Sequence, residues 1–127
     1  MSGMTTTMTL GQQGEDYAAS YYLERGARIL DRNVRYRVGE IDLIAEEPGG
    51  TVVFVEVKTR SGRGFGAAEA VDRRKLLCLR RAASAWLRSR PWTPVRFDVL
   101  VLTVAEHRCG IPVFETEHYE GVERGAC

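Results

Sequence analysis

Apolar and polar residues alternate along this chain with two different periods, and each change of period marks an element. Within residues 11–25, Glu15, Ala18, Ala19 and Tyr22 stand at i, i+3, i+4 and i+7, the spacing of one helix face. Gly26 follows as the C′ residue that ends such a helix. A period of two then takes over. It predicts strands over residues 28–35, 40–46 and 51–59, the second and third joined through Glu47-Pro48-Gly49-Gly50 as an antiparallel hairpin. The third strand is rich in valine on both faces, which places it at the centre of a sheet. Helical spacing returns with Leu76, Leu79, Ala82, Ala83, Trp86 and Leu87, one apolar side of a helix that starts near Asp72 and stops before Pro91. Residues 95–104 read as a fourth strand and 111–117 as a fifth, at an edge. The order α-β-β-β-α-β-β predicts an α/β sandwich around a mixed sheet. Residues 11–118 are expected to form a single domain, with tails over 1–10 and 119–127.

Two of these strands carry acids inside their apolar alternation. Glu40, Asp42 and Ile44 share a face of the second strand; Val52, Phe54, Glu56 and Lys58 share a face of the third. A carboxylate set among buried apolar neighbours is costly to desolvate unless it is paired or holds a cation. If the hairpin aligns the two faces, Asp42 comes beside Glu56, with opposed Cβ atoms about 5 Å apart. Two carboxylates that close repel each other unless something positive lies between them. Mg²⁺ (or Mn²⁺) prefers one or two carboxylates completed by water and substrate phosphate, so it suits such a pair. Lys58, on the same face, is placed to orient a water or steady a phosphate, and Glu15 on the first helix is a further candidate ligand, direct or through water. The set Asp42, Glu56, Lys58 and Glu15 is thus the equipment for metal-assisted hydrolysis of a phosphodiester. The bland alternative stands beside it: Glu56 and Lys58 as an i, i+2 ion pair on a solvated face, with Asp42 an exposed strand acid.

Composition narrows the class. With 127 residues, 44% apolar and 28% charged, the chain suits one soluble domain, and no apolar run is long enough to span a bilayer. The first ten residues lack the basic flank and apolar core of a signal peptide, so a frayed tail is expected there. Three cysteines without C-x-x-C spacing argue against a disulfide scaffold or a zinc site and point to a reducing, cytoplasmic setting. His107 and His118 read as ordinary surface residues. The net charge of +1 hides an asymmetry, because residues 57–96 are strongly basic and the stretch from Phe97 onward is acidic. A basic middle can meet a polyanion or merely form a solvated, arginine-rich helix face.

Arg60, Arg63, Arg73, Arg74 and Lys75 are the candidates for contacts with a nucleic-acid backbone, Lys75 also because its position in the second helix points it toward the acids. The glycine-rich loop over residues 61–66 follows the Glu-x-Lys strand directly and permits close approach of a substrate. Glu40 and Asp98 are auxiliary candidates; Asp98 shares a strand face with Arg96, and a simple ion pair between them is the competing reading. Trp86 reads as core by its helical spacing, and Trp86 and Trp92 are also candidates for stacking on bases.

The motifs Gly14-Glu15, then Gly39-Glu40-Ile41-Asp42-Leu43-Ile44, then Phe54-Val55-Glu56-Val57-Lys58-Thr59-Arg60 resemble the nuclease superfamily whose signature is an acid, an Asp and Glu-x-Lys. Within it, the chain looks like the YraN-like family of uncharacterised bacterial proteins, with Ala70-Val71, Lys75 and Arg96-Phe97-Asp98-Val99 continuing the match over roughly residues 11–114. The resemblance implies a restriction-endonuclease-like, resolvase-like fold with Glu15, Asp42, Glu56 and Lys58 at the catalytic positions. It gives a site and a substrate class; the acid triad plus Lys58 beside a basic face motivates the leading reading, a Mg²⁺-dependent, structure-selective endonuclease-like protein acting on nucleic acid, DNA before RNA, with a two-fold dimer favoured if junctions are cut. The rivals are a nucleic-acid-binding module without catalysis and a protein-interaction domain.

Overall fold

The computed structural model describes residues 8–62 and 73–122. Helix α1 (Leu10–Glu24) opens with a capping box: Thr9 Oγ1 accepts the Gln12 N–H at 3.1 Å, and Gln12 Oε1 accepts the Thr9 N–H at 2.9 Å. It closes with the backbone pattern that Gly26 makes possible, φ +93°, in which Gly26 N–H donates to Leu23 O and Ala27 N–H to Tyr22 O. Strands β1 (Arg28–Tyr36), β2 (Gly39–Glu46) and β3 (Val52–Arg60) follow, then helix α2 (Arg73–Leu87) and strands β4 (Val95–Arg108) and β5 (Ile111–Tyr119). The expected order α-β-β-β-α-β-β, helices flanking one mixed sheet, is the order observed. Elements extend past residues 11–118 at both ends: α1 begins at Leu10 with Thr9 as its N-cap, Tyr119 ends β5, and Val122 packs against the core.

The five strands lie in sequence order, so β3 is central, as its valines predict, and β5 is an edge. β1, β2 and β3 run antiparallel in turn; β3 and β4 are parallel, connected through α2; β4 and β5 are again antiparallel. Because side chains alternate across a sheet, β3 feeds two separate cores. Val52 and Phe54 pack with Leu76, Leu79, Ala82, Ala83 and Trp86 beneath α2. Val53 and Val55 pack with Ala18, Ala19 and Tyr22 beneath α1. Phe54 holds Trp86 edge-on at 5.7 Å and stacks on Phe97 at 5.6 Å, which settles Trp86 as core.

The helices are seated by two close backbone approaches. A Cβ on Gly14 would lie 2.1 Å from Thr59 Oγ1, so only glycine lets the first turns of α1 reach β3. A Cβ on Gly39 would lie 2.5 Å from the backbone oxygen of Cys78, which brings the β1–β2 turn onto α2.

Candidate active site

The β2–β3 ladder runs from Glu46↔Val52 to Leu43↔Val55 and stops there. The next pair in that register would be Asp42 opposite Glu56. At this step β2 departs from regular alternation, since Ile41 and Ile44 both reach the α2-side core while Leu43 lies in the other. The Asp42 carboxylate fills the gap, accepting the Val57 N–H at 2.8 Å where the ladder no longer supplies a main-chain acceptor. Asp42 and Glu56, expected to meet, both line one cleft at the point where the β2–β3 pairing ends.

Both acids are largely shielded from water and feel each other. Burial pushes the Asp42 carboxyl up to about 7; the Glu56 charge adds to this, the Val57 N–H opposes it, and the charges of Glu15 and Glu40 raise it further. Burial also raises Glu56, against the lowering influence of Lys75 and Lys58. Lys75, from the first turn of α2, places Nζ 3.4 Å from Glu56 Oε2. Glu40, Asp42, Glu56, Arg74, Lys75 and Cys78 line a cleft of about 310 Å³ between β2, β3 and the start of α2.

Of the residues singled out in the sequence, Asp42, Glu56, Glu40, Arg74 and Lys75 thus meet in one cleft, and Lys58 and Glu15 act on it electrostatically. Gly14 is what holds Glu15 near: it seats α1 against Thr59, on the strand that carries Glu56. Arg60 ends β3, beyond Glu56 and Lys58. Arg63 and the loop beyond Gly62 lie outside the described residues, as does the side chain of Arg73. Cys78 is a cleft residue that no motif marked; its place one turn after Lys75 on the same helix face is the signal that would have found it.

Asp98 does not join this site. It is fully buried on the α1 side of the sheet, where Arg96 reaches it with Nε at 2.9 Å and Nη2 at 3.0 Å, the ion pair that its strand spacing allowed. Tyr22 Oη donates to it at 2.7 Å, His118 Nε2 lies at 2.8 Å, and the Gly121 N–H at 3.3 Å. Burial alone would raise its carboxyl, but the bonds from Arg96, His118 and Tyr22 outweigh burial and hold it below the usual carboxylate range. His118 is accordingly no surface residue: its side chain is 10% exposed and locked between Asp98, Tyr21 and Tyr22. His107 is exposed, as expected, and so is Trp92.

Among the described residues no three His, Cys, Asp or Glu side chains converge as a ready-made metal cage. The donor set is the carboxylate pair Asp42 and Glu56, with open cleft beside it. That matches Mg²⁺ or Mn²⁺, which keep waters and accept phosphate oxygens, and does not match a closed zinc site.

Among the described residues no helix is long and apolar enough to cross a membrane. Residues 14–102 match the model of "Uncharacterised protein family UPF0102". The chain is 49% identical to a UPF0102 protein of Corynebacterium efficiens and 51% identical to one of Corynebacterium glutamicum, in each case over 96% of this chain and 98% of the relative. A UPF0102 protein of Mycobacterium bovis is 45% identical, over 92% of this chain and 94% of its own. Family match and relatives together span the cleft and both helices: the chain belongs to the UPF0102 family.

Proposed function

We propose that this protein is a Mg²⁺- or Mn²⁺-dependent endonuclease that hydrolyses phosphodiester bonds, in DNA in preference to RNA. The observation that carries the reading is the Asp42–Glu56 pair, which lines one cleft where the β2–β3 ladder ends and in which burial first, and the Glu56 charge second, raise the Asp42 carboxyl to about 7. Asp42 and Glu56 would hold the cation, with Glu15 reaching it through water. When bound, such an ion activates a water for attack and neutralises the charge that builds on the phosphate.

The remaining work falls to side chains of this chain. Lys58 orients the attacking water and takes up charge on the scissile phosphate. Lys75 and Arg74, on the opposite wall of the cleft, hold the adjoining phosphates. The Val57 N–H fixes the Asp42 carboxylate, so the ligand is set before substrate arrives. Preference for branched DNA and a two-fold dimer at junctions follow from the resemblance to resolvases. Cys78 and Cys109 are free thiols, which suits a cytoplasmic setting.

The test is cleavage of branched, duplex and single-stranded DNA in Mg²⁺ or Mn²⁺ by the wild type, Asp42→Ala and Glu56→Ala, each checked for folding by circular dichroism. Cutting by the wild type alone establishes the reading; cutting that survives both substitutions overturns it.

A further inference from the structure

The cleft alone is a poor place for a nucleic-acid strand. Three acids, Glu40, Asp42 and Glu56, share it with two cations, Arg74 and Lys75, so its own charge opposes a polyanion until a metal is bound. Next to it lies a second groove, of about 490 Å³, lined by Tyr36 at the end of β1, Arg37 and Val38 of the β1–β2 turn, Arg81, Ser84 and Ala85 of α2, and Arg88 just past its end. This lining holds three arginines and no acid. All three arginines are exposed, and among the described residues none is engaged in an ion pair. Tyr36 and Val38 are also part-exposed, giving the floor an apolar, aromatic element beside the charges.

The two grooves form one track. Arg74, Cys78, Arg81 and Ala85 succeed one another at spacings of three and four along a single helix face, and Arg88 follows in the turn after α2. On the opposite wall Glu40 belongs to the cleft and Tyr36, Arg37 and Val38 to the groove, with Gly39 seated against the Cys78 backbone where the two meet. At about 1.5 Å per helical residue, Lys75 and Leu87, the residue before Arg88, lie about 18 Å apart along the axis, which corresponds to roughly five base-pair steps of duplex.

We propose that the Arg37–Arg81–Arg88 groove binds the phosphate backbone of the nucleic acid to one side of the scissile position and holds the strand in register while its scissile phosphate lies over Asp42 and Glu56. The proposal deepens the nuclease reading and rests on its choice of substrate. Guanidinium forks take phosphate oxygens bidentately, and Tyr36 offers a face on which a splayed base stacks. Such contacts give affinity without reading sequence.

The experiment measures binding, not cutting. Full-length wild type, Arg37→Ala/Arg81→Ala/Arg88→Ala, the corresponding triple lysine variant and Arg108→Ala are titrated in EDTA, by fluorescence anisotropy, against labelled duplex and four-way-junction DNA at several salt concentrations. Arg108 is an exposed arginine paired with Glu106 at the far end of β4 and serves as the control for loss of an arginine away from the groove. The triple alanine variant is expected to lose at least about tenfold in affinity and to lower the salt slope by roughly 0.9 for each contact removed, alike on all sequences. The lysine variant should recover most of the loss, and Arg108→Ala should bind as the wild type does. Unchanged binding by a folded triple alanine variant overturns the groove, as does a wild type that binds no DNA at low salt. Cleavage in Mg²⁺ is scored separately. Binding that depends on the groove in a protein that never cuts keeps this proposal and removes the catalytic one; cutting with groove-independent binding does the reverse.

Discussion

Asp42 and Val57 are joined by a hydrogen bond from backbone to carboxylate, 2.8 Å long, in place of the ladder rung that β2 and β3 no longer make. The bond holds one oxygen of Asp42 in place. Among the described residues the other oxygen makes no hydrogen bond, although the side chain is largely shielded from water. A carboxylate anchored on one side and unmatched on the other, next to a second acid, supports the cation site proposed above.

Asp42→Asn keeps the acceptor for Val57 and removes the charge, so it separates the two roles. The carboxyl titrates near 7 in the folded chain and near 4 when unfolded, so the folded state binds more protons between those values. Stability from this group is present in full below about pH 4 and is lost as pH rises through about 7. Asp42→Asn should therefore match the wild type at pH 4 and exceed it at pH 8, by on the order of 2 kcal/mol once screening by cleft water is allowed for. Urea denaturation at the two pH values measures this; an asparagine variant less stable at pH 8 would contradict the account. Mg²⁺ at pH 8 should raise the wild-type midpoint and leave that of Asp42→Asn/Glu56→Gln where it is.

Lys58 and Lys75 both act on Glu56, from its own strand and from α2. Their assigned roles differ, and steady-state kinetics can tell them apart. Lys58→Ala should lower kcat by roughly 10²- to 10³-fold with little change in KM, because it removes a group needed in the transition state. Lys75→Ala should mainly raise KM, about five- to tenfold, as a lost phosphate contact does. A kcat defect confined to Lys75→Ala would exchange the two roles.

The parts of the site that were legible in the sequence are those fixed by local periodicity. Asp42, Glu56 and Lys58 follow from alternation on two strands joined by a short turn, and Glu15 and Lys75 from their places on helix faces. Asp98 shows where such reasoning ends. Alternation paired it with Arg96, two residues away, and that pair exists. Its other side-chain partners, Tyr22 and His118, lie 76 and 20 residues away, on α1 and on the edge strand β5. Nothing local says which face of the sheet α1 covers, so Asp98 read as a candidate near the cleft and His118 as a surface residue. The groove behind the cleft escaped notice for a related reason, since its arginines come from a turn and a helix that only the tertiary fold brings together.

The Asp98 cluster should be a stability element, not a catalytic one. Asp98→Ala strands the Arg96 guanidinium, whose side chain is 22% exposed and which then keeps, among the described residues, its contact to Glu47. Removing one partner of a buried pair costs about 3–5 kcal/mol, and this acid also loses its bonds from Tyr22 and His118. Tyr22→Phe, which deletes one donor, should cost about 1–2 kcal/mol. Chemical denaturation gives both values. At a temperature where Tyr22→Phe stays folded, its cleavage rate should equal that of the wild type, because the cluster lies across the sheet from Asp42 and Glu56. A large loss of kcat in that folded variant would bring Asp98 back into the mechanism.

Gly14 tests how α1 is tied to the site. A Cβ there meets Thr59 at 2.1 Å from Oγ1 and 3.0 Å from Cγ2, and a β-branched side chain on a strand has little freedom to swing aside. Gly14→Ala should destabilise the protein by about 1–3 kcal/mol, despite alanine's better helix propensity, because overpacking outweighs it. Thr59→Ala removes both clashing atoms and leaves Thr59 Cβ, which lies 3.1 Å from the new methyl. The double variant Gly14→Ala/Thr59→Ala should therefore recover most of the loss, with a coupling energy on the order of 1–2 kcal/mol in a double-mutant cycle. Activity adds the second readout. If Gly14 matters because it carries Glu15 to the cleft, Gly14→Ala alone should weaken Mg²⁺ activation as well as stability, and the compensating threonine substitution should restore both together. Restored stability with activation still impaired would mean that the position of Glu15 depends on more than this one contact.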